Sequence, residues 1–93
     1  MDAREAQILT IAEIVHESAA MNDAALAVDF DEARFRAQLV VAKADAAGLV
    51  DVVIAAARVL DRLGPLGTQP TGGYGEAMLA LASTLDDVGF DPL

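Results

Sequence analysis

Between Asp29 and Gly64 an apolar residue returns at nearly every third or fourth position. Phe30, Ala33, Ala37, Val40 or Val41, Ala44, Gly48, Val52, Ala55, Val59 and Leu63 then share one face of a helix. The run has marked ends. Asp29 is an N-cap, with Glu32 three residues on as its capping-box partner. Gly64-Pro65 is a stop, because glycine suits the position after a helix and proline cannot extend one. As one helix the segment is about 50 Å long. A compact chain of this size is only about 30–35 Å across. The segment therefore breaks near Gly48, or it overhangs its own domain and another chain covers the end. The stripe keeps its phase across Gly48, which favours continuity and completion of the core by dimerisation.

Upstream, Ile8, Ile11, Ala12, Val15 and Ala19 share a face flanked by Leu9 and Ile14, while Thr10, Glu13 and Glu17 hold the polar side. This spacing predicts a first helix from about Ala3 into the stretch Met21–Ala27, which either breaks or kinks at Asn22-Asp23 or continues through the Ala-rich stretch to Val28. Downstream, residues 64–75 read as a Gly/Pro linker. A last helix from Tyr74 to Val88 carries a narrow seam of Met78, Leu81, Leu85 and Val88 and ends at Gly89. The expected fold class is all-α. A helical hairpin core spans 1–63, the linker 64–75, and a docking helix with a tail 76–93, within a single domain.

Composition sharpens the expectation of association. Hydrophobic residues make up 55% of the 93, but aromatics only 4%, so the helices are thin and each buries little area. Small chains bury a smaller share of their surface. With no cysteine and one histidine, oligomerisation is the remedy left. Arg34, Arg36, Lys43, Arg58 and Arg62 all lie in the central segment, and Arg4 is the only other base. An acidic first helix thus faces a basic second one, which sets register and partner choice more than stability. The expected interface is Val52, Ala55, Ala56, Val59, Leu60 and Leu63, together with Met78, Leu81 and Leu85. Its partner is a second copy of the chain or another protein.

The net charge of −9 opposes binding to nucleic acid or to anionic membranes, both of which need surplus Lys and Arg. The start, Met1-Asp2-Ala3-Arg4-Glu5, has neither the basic nor the apolar region of a signal peptide. Leu49–Leu60 is short and contains Asp51 and Arg58, so it is not a membrane span. A cytoplasmic protein is expected. Arginine outnumbers lysine and asparagine is rare, the composition of a GC-rich bacterial genome.

Glu13 and His16, three residues apart, have the spacing found in carboxylate-bridged metal sites of four-helix bundles. In a hairpin, Asp45 would be their third ligand. The favoured reading is a boundary histidine beside surface glutamates, with no metal and no cofactor. Ala44, Gly48 and Ile54 resemble the core spacing of a helix-turn-helix, but Val52–Arg58 offers almost no donors for base edges. The same stretch resembles a histidine-phosphotransfer domain. Counted back from Gly48, the acceptor position holds Gln38, so the resemblance implies a bundle and a docking surface without the activity. Nucleophilic catalysis has no cysteine and one histidine to draw on. Gly72-Gly73-Tyr74-Gly75 lacks the Lys-Ser/Thr of a phosphate loop. The expected function is a non-enzymatic interaction or regulatory module that acts by self-association or partner docking.

Overall fold

The computed structural model describes residues 2–90, and the expected tail at 91–93 lies outside them. Four helices follow in order: α1 Ala3–Leu26, α2 Phe30–Ala46, α3 Val50–Leu63 and α4 Tyr74–Phe90. Loops of three residues fold α2 back on α1 and α3 back on α2. A longer loop, Gly64 to Gly73, returns α4 along α3. The result is an all-α up-and-down bundle, 43 × 19 × 19 Å. Among the described residues, no helix is long and apolar enough to cross a membrane.

The central segment breaks at Gly48, which corrects the expected continuity. Gly48 takes φ +72°, its N–H donates to the Asp45 carbonyl at 3.1 Å, and the Leu49 N–H donates to the Ala44 carbonyl at 2.9 Å. That pair of bonds is a Schellman cap. Leu49 is half-buried against the core just past the turn, the apolar contact such caps favour. The stripe keeps its phase because both arms of a hairpin face one core. Ala33, Ala37, Val40 and Ala44 on α2, and Val52, Ala55, Ala56, Val59 and Leu63 on α3, are all buried. With the break, the overhang that called for a second chain disappears.

The same turn chemistry recurs between α1 and α2 with a less suitable residue. Val28 holds φ +62° where Gly48 holds +72°. The Asp29 N–H donates to the Ala24 carbonyl at 2.8 Å and the Val28 N–H to the Ala25 carbonyl at 3.0 Å. A β-branched residue in this region is strained. Asp29 caps α2 as expected, its carboxylate accepting from the Glu32 N–H at 3.2 Å. The reciprocal half of the capping box does not form, because the Glu32 carboxylate accepts from Arg36 Nε instead, at 2.9 Å.

Helix α1 turns a different face inward from the one the larger side chains suggest. Ile14, Met21 and Ala24 are buried together with Glu17 and Ser18, whereas Ile8, Leu9 and Val15 stay largely exposed. Apolar residues lie on nearly every side of this helix, so their spacing alone does not select a face. Glu17 can be buried because Arg36 donates to it from α2 at 3.2 Å. Helix α1 has 24 residues against 17 in α2, and none before Ile14 is buried among those described. On α4, Met78, Leu81 and Leu85 are buried and Val88 half-buried, as the seam predicts. The helix runs through Gly89 to Phe90 and does not stop at the glycine.

Candidate functional site

The residues expected to meet a second chain meet one another inside this one. Val52, Ala56, Val59, Leu63 and Leu81 are fully buried, Ala55, Met78 and Leu85 nearly so, and Leu60 packs partly against the same core. The expected metal ligands are not gathered. Glu13 lies 3.7 Å from Lys43, and no three His, Asp or Glu side chains converge among the described residues. Gln38 stands exposed on α2. Ile54, the apolar anchor of the helix-turn-helix resemblance, is about half exposed.

Arg34 is the most connected polar side chain, and its bonds are structural. It is 3% exposed. Its Nη2 donates to the carbonyls of Leu63 and Thr68, both at 2.6 Å, and its Nε donates to the Gly64 carbonyl at 2.9 Å. Nη1 donates to Asp31 Oδ1 at 2.6 Å. The same carboxylate oxygen accepts from the Gly67 N–H at 2.9 Å. The Gly67 amide, then Arg34, hold the Asp31 carboxyl below the usual carboxylate range. On the same helix, Glu17 and then Glu32 raise the Arg36 guanidinium above its ordinary value. A shallow cleft of about 220 Å³ lies over Asp31 and Arg34, but all three guanidinium nitrogens already donate, to main-chain carbonyls and to the Asp31 carboxylate. The linker between α3 and α4 is thereby tied down over residues 64–68.

The seam between α1 and α4 is different. These two helices touch far less than any other adjacent pair in the bundle. Near the end of α1 and the start of α4 the gap opens into a cleft of about 250 Å³, lined by Asn22, Ala25, Leu26, Tyr74, Gly75, Met78, Leu79 and Ala82. Leu26 and Leu79 stand on its two sides, 82% and 73% exposed. Tyr74 is fixed by an edge-on contact with Phe30, ring centroids 5.4 Å apart. One polar group departs from this apolar lining. The Asn22 side-chain oxygen is buried and finds no donor among the described residues. An unpaired buried acceptor costs about 1–3 kcal/mol.

Continued toward the start of α1, the same side of the helix carries Ala19, Val15, Ile11 and Ile8, which step back from Asn22 at three and four residues. Most of the apolar stripe read from the sequence thus shares a helix face with Asn22 and stays outside the core, whereas Ala12 lies toward Lys43 of α2. The two helices that border the seam are acidic in composition. Between them α1 and α4 carry seven Asp and Glu, and Arg4 is their only Lys or Arg. Two of the seven are already paired with bases of α2, Glu17 with Arg36 and Glu13 with Lys43.

Sequence reasoning passed over Leu26, Leu79 and Asn22. Leu79 falls off the Met78–Leu81–Leu85 seam, and that offset was the available signal for an outward leucine. Of the two alternatives at Asn22-Asp23, the helix continues through the Ala-rich stretch, unbroken as far as Leu26. Compared with known proteins, the chain matches no family model, no curated protein and no solved structure at a significant level.

Proposed function

We propose that this chain is a non-enzymatic docking module whose α1–α4 seam receives a basic, amphipathic helix of another protein. The observation that supports it is the pair Leu26 and Leu79, both mostly exposed, on either side of an apolar cleft between two loosely packed helices. Single exposed leucines are ordinary on a protein surface. Two flanking one apolar groove, in line with the α1 stripe, form a contiguous patch of the kind that marks interaction sites. A helix presenting anchors at three- and four-residue steps fits such a groove.

Charge selects the occupant. A second copy would bring acidic helices against acidic helices. A helix flanked by Lys and Arg meets the opposite sign, which speeds encounter and suppresses wrong partners more than it adds affinity. Selection from a displayed library of short amphipathic helices with randomised flanks tests the reading. Enrichment of Lys and Arg flanks on the wild-type chain is expected, with binding lost in Leu79→Asp. No enrichment, acidic flanks, or equal binding to Leu79→Asp would overturn it. So would a wild-type dimer, seen by light scattering, that Leu79→Asp disperses, because a second copy would then fill the seam.

A further inference from the structure

One line of apolar residues lies outside both the core and the α1–α4 seam. On α2, Ala33, Ala37, Val40 and Ala44 are buried, and the opposite side carries Phe35, Leu39, Ala42 and Ala46. Phe35 is 51% exposed, Leu39 is half-buried and both alanines are exposed. We propose that this line is a self-association surface, on which α2 of a second copy packs antiparallel. Phe35 then meets the partner's Ala46, and Leu39 meets the partner's Ala42.

The line is complementary to itself when reversed. Its positions are symmetric about the point between Leu39 and Ala42, so a two-fold axis there sets each large side chain on a small one. Parallel pairing would stack Phe35 on its own copy and leave a gap between alanines at the other end, forfeiting contact. Antiparallel pairing also opposes the two helix dipoles. Charge admits a second copy here, as it excludes one at the seam. Helix α2 carries Asp31, Glu32 and Asp45 against Arg34, Arg36 and Lys43, a balanced set in a chain of net charge −9. Each of these bases already has an acid beside it: Asp31 at Arg34, Glu17 and Glu32 at Arg36, Glu13 at Lys43. Helix α3 is balanced too, with Asp51 and Asp61 against Arg58 and Arg62. Its outward line of Val50, Ile54 and Ala57 leads to Asp61, however, and reversal would set Val50 against that carboxylate. The Arg36 guanidinium lies 5.7 Å from the Phe35 ring centroid, which helps to fix the ring before a partner arrives. Helix α2 packs between α1 and α3, on the corner opposite α4, so the dimer leaves two α1–α4 seams open. One helix against another makes a small interface, and the dimer is therefore weak and reversible.

Sedimentation velocity on the full chain, from about 5 to about 500 μM, follows the equilibrium between monomer and dimer. The wild type is expected to dimerise within that range. Phe35→Ala puts a strong helix former at an exposed position, and Ala46→Phe adds a ring at another, so circular dichroism should show both folded. Each single change is expected to weaken the dimer about tenfold or more, one by a gap and the other by a clash. The double variant Phe35→Ala/Ala46→Phe exchanges the large and small ends and restores association. A wild type that stays monomeric at the highest concentration overturns the proposal, and so does a dimer unchanged by Phe35→Ala. A double variant no tighter than Phe35→Ala overturns the antiparallel register. Leu79→Asp leaves the dimer intact. A dimer that Leu79→Asp disperses would place the contact at the seam and overturn the α2 assignment.

Discussion

The guanidinium of Arg34, on α2, donates at 2.6 Å to the main-chain carbonyl of Leu63, the last residue of α3. The closing carbonyls of a helix have no donor within it and need one from elsewhere. Here a buried side chain from the neighbouring helix supplies it, and the same group reaches Gly64 and Thr68 beyond. The end of α3 and the start of the following loop are thus set by one residue. Arg34→Met leaves the buried Leu63 carbonyl and the half-buried Gly64 carbonyl without their donor and is expected to destabilise the bundle by about 2–4 kcal/mol in urea unfolding. It should also open residues 64–68 to protease. Arg34→Lys cannot reproduce the planar fork and should rescue little. Wild-type stability in Arg34→Met would refute the capping role.

Asp31 completes the same latch and makes it pH-dependent. The Gly67 N–H and Arg34 favour its charged form, so its carboxyl titrates lower folded than unfolded. A depressed folded value means that the contribution is complete above the unfolded pKa of about 3.9 and is lost as pH falls through the folded value. Unfolding midpoints should therefore fall more steeply below about pH 4 in the wild type than in Asp31→Asn. Parallel pH profiles for the two proteins would contradict this.

The two Schellman turns form an internal experiment. Gly48 is where a left-handed conformation is easy, and Val28 is 64% exposed with φ +62°. Left-handed backbone costs a side-chain-bearing residue about 1–2 kcal/mol, and glycine gives back about 0.5–1 through its freer unfolded chain. Val28→Gly should therefore stabilise by roughly 0.5–1 kcal/mol and raise the melting temperature by a few degrees. Gly48→Ala should do the reverse. An added Cβ there has open space around it, so the loss would be conformational and not steric. A lower melting temperature in Val28→Gly would give the valine a packing role that its exposure does not suggest.

The stripe from Phe30 to Leu63 was legible because nearly all its members face the core, with Gly48 exposed in the turn between its two arms, yet continuity of the stripe was not continuity of the helix. Gly48 decides that point through a positive φ, which periodicity cannot register. Helix α1 was harder to read for a different reason. Its apolar residues surround it, so the inward face was settled by the turn at Val28 and by the Arg36–Glu17 pair, both tertiary facts. Counting large side chains selected Ile8, Val15 and their neighbours, and Ile8 and Val15 are about half exposed. The candidate site was the least legible part. Its marks are exposure at Leu26 and Leu79 and an unpaired oxygen on Asn22, and of these only Leu79, offset from the seam of its helix, leaves a trace in the sequence.

Two aspartate substitutions separate the core of the bundle from its proposed docking seam. Val52 is fully buried between α3 and its neighbours, so Val52→Asp places an unpaired carboxylate in the core. The expected outcome is loss of the fold, a cost of several kcal/mol against the roughly 5–15 kcal/mol total of a native protein. Leu79 is mostly solvated, and Leu79→Asp should shift stability by no more than about 0.5 kcal/mol. Circular dichroism melts read both effects directly. Against that background, loss of helix binding in folded Leu79→Asp reports the seam and nothing else. Leu26→Asp, on the opposite side of the cleft, should act alike, because one bound helix must touch both leucines. If only one of the two substitutions abolishes binding, the occupant does not lie across the cleft as proposed.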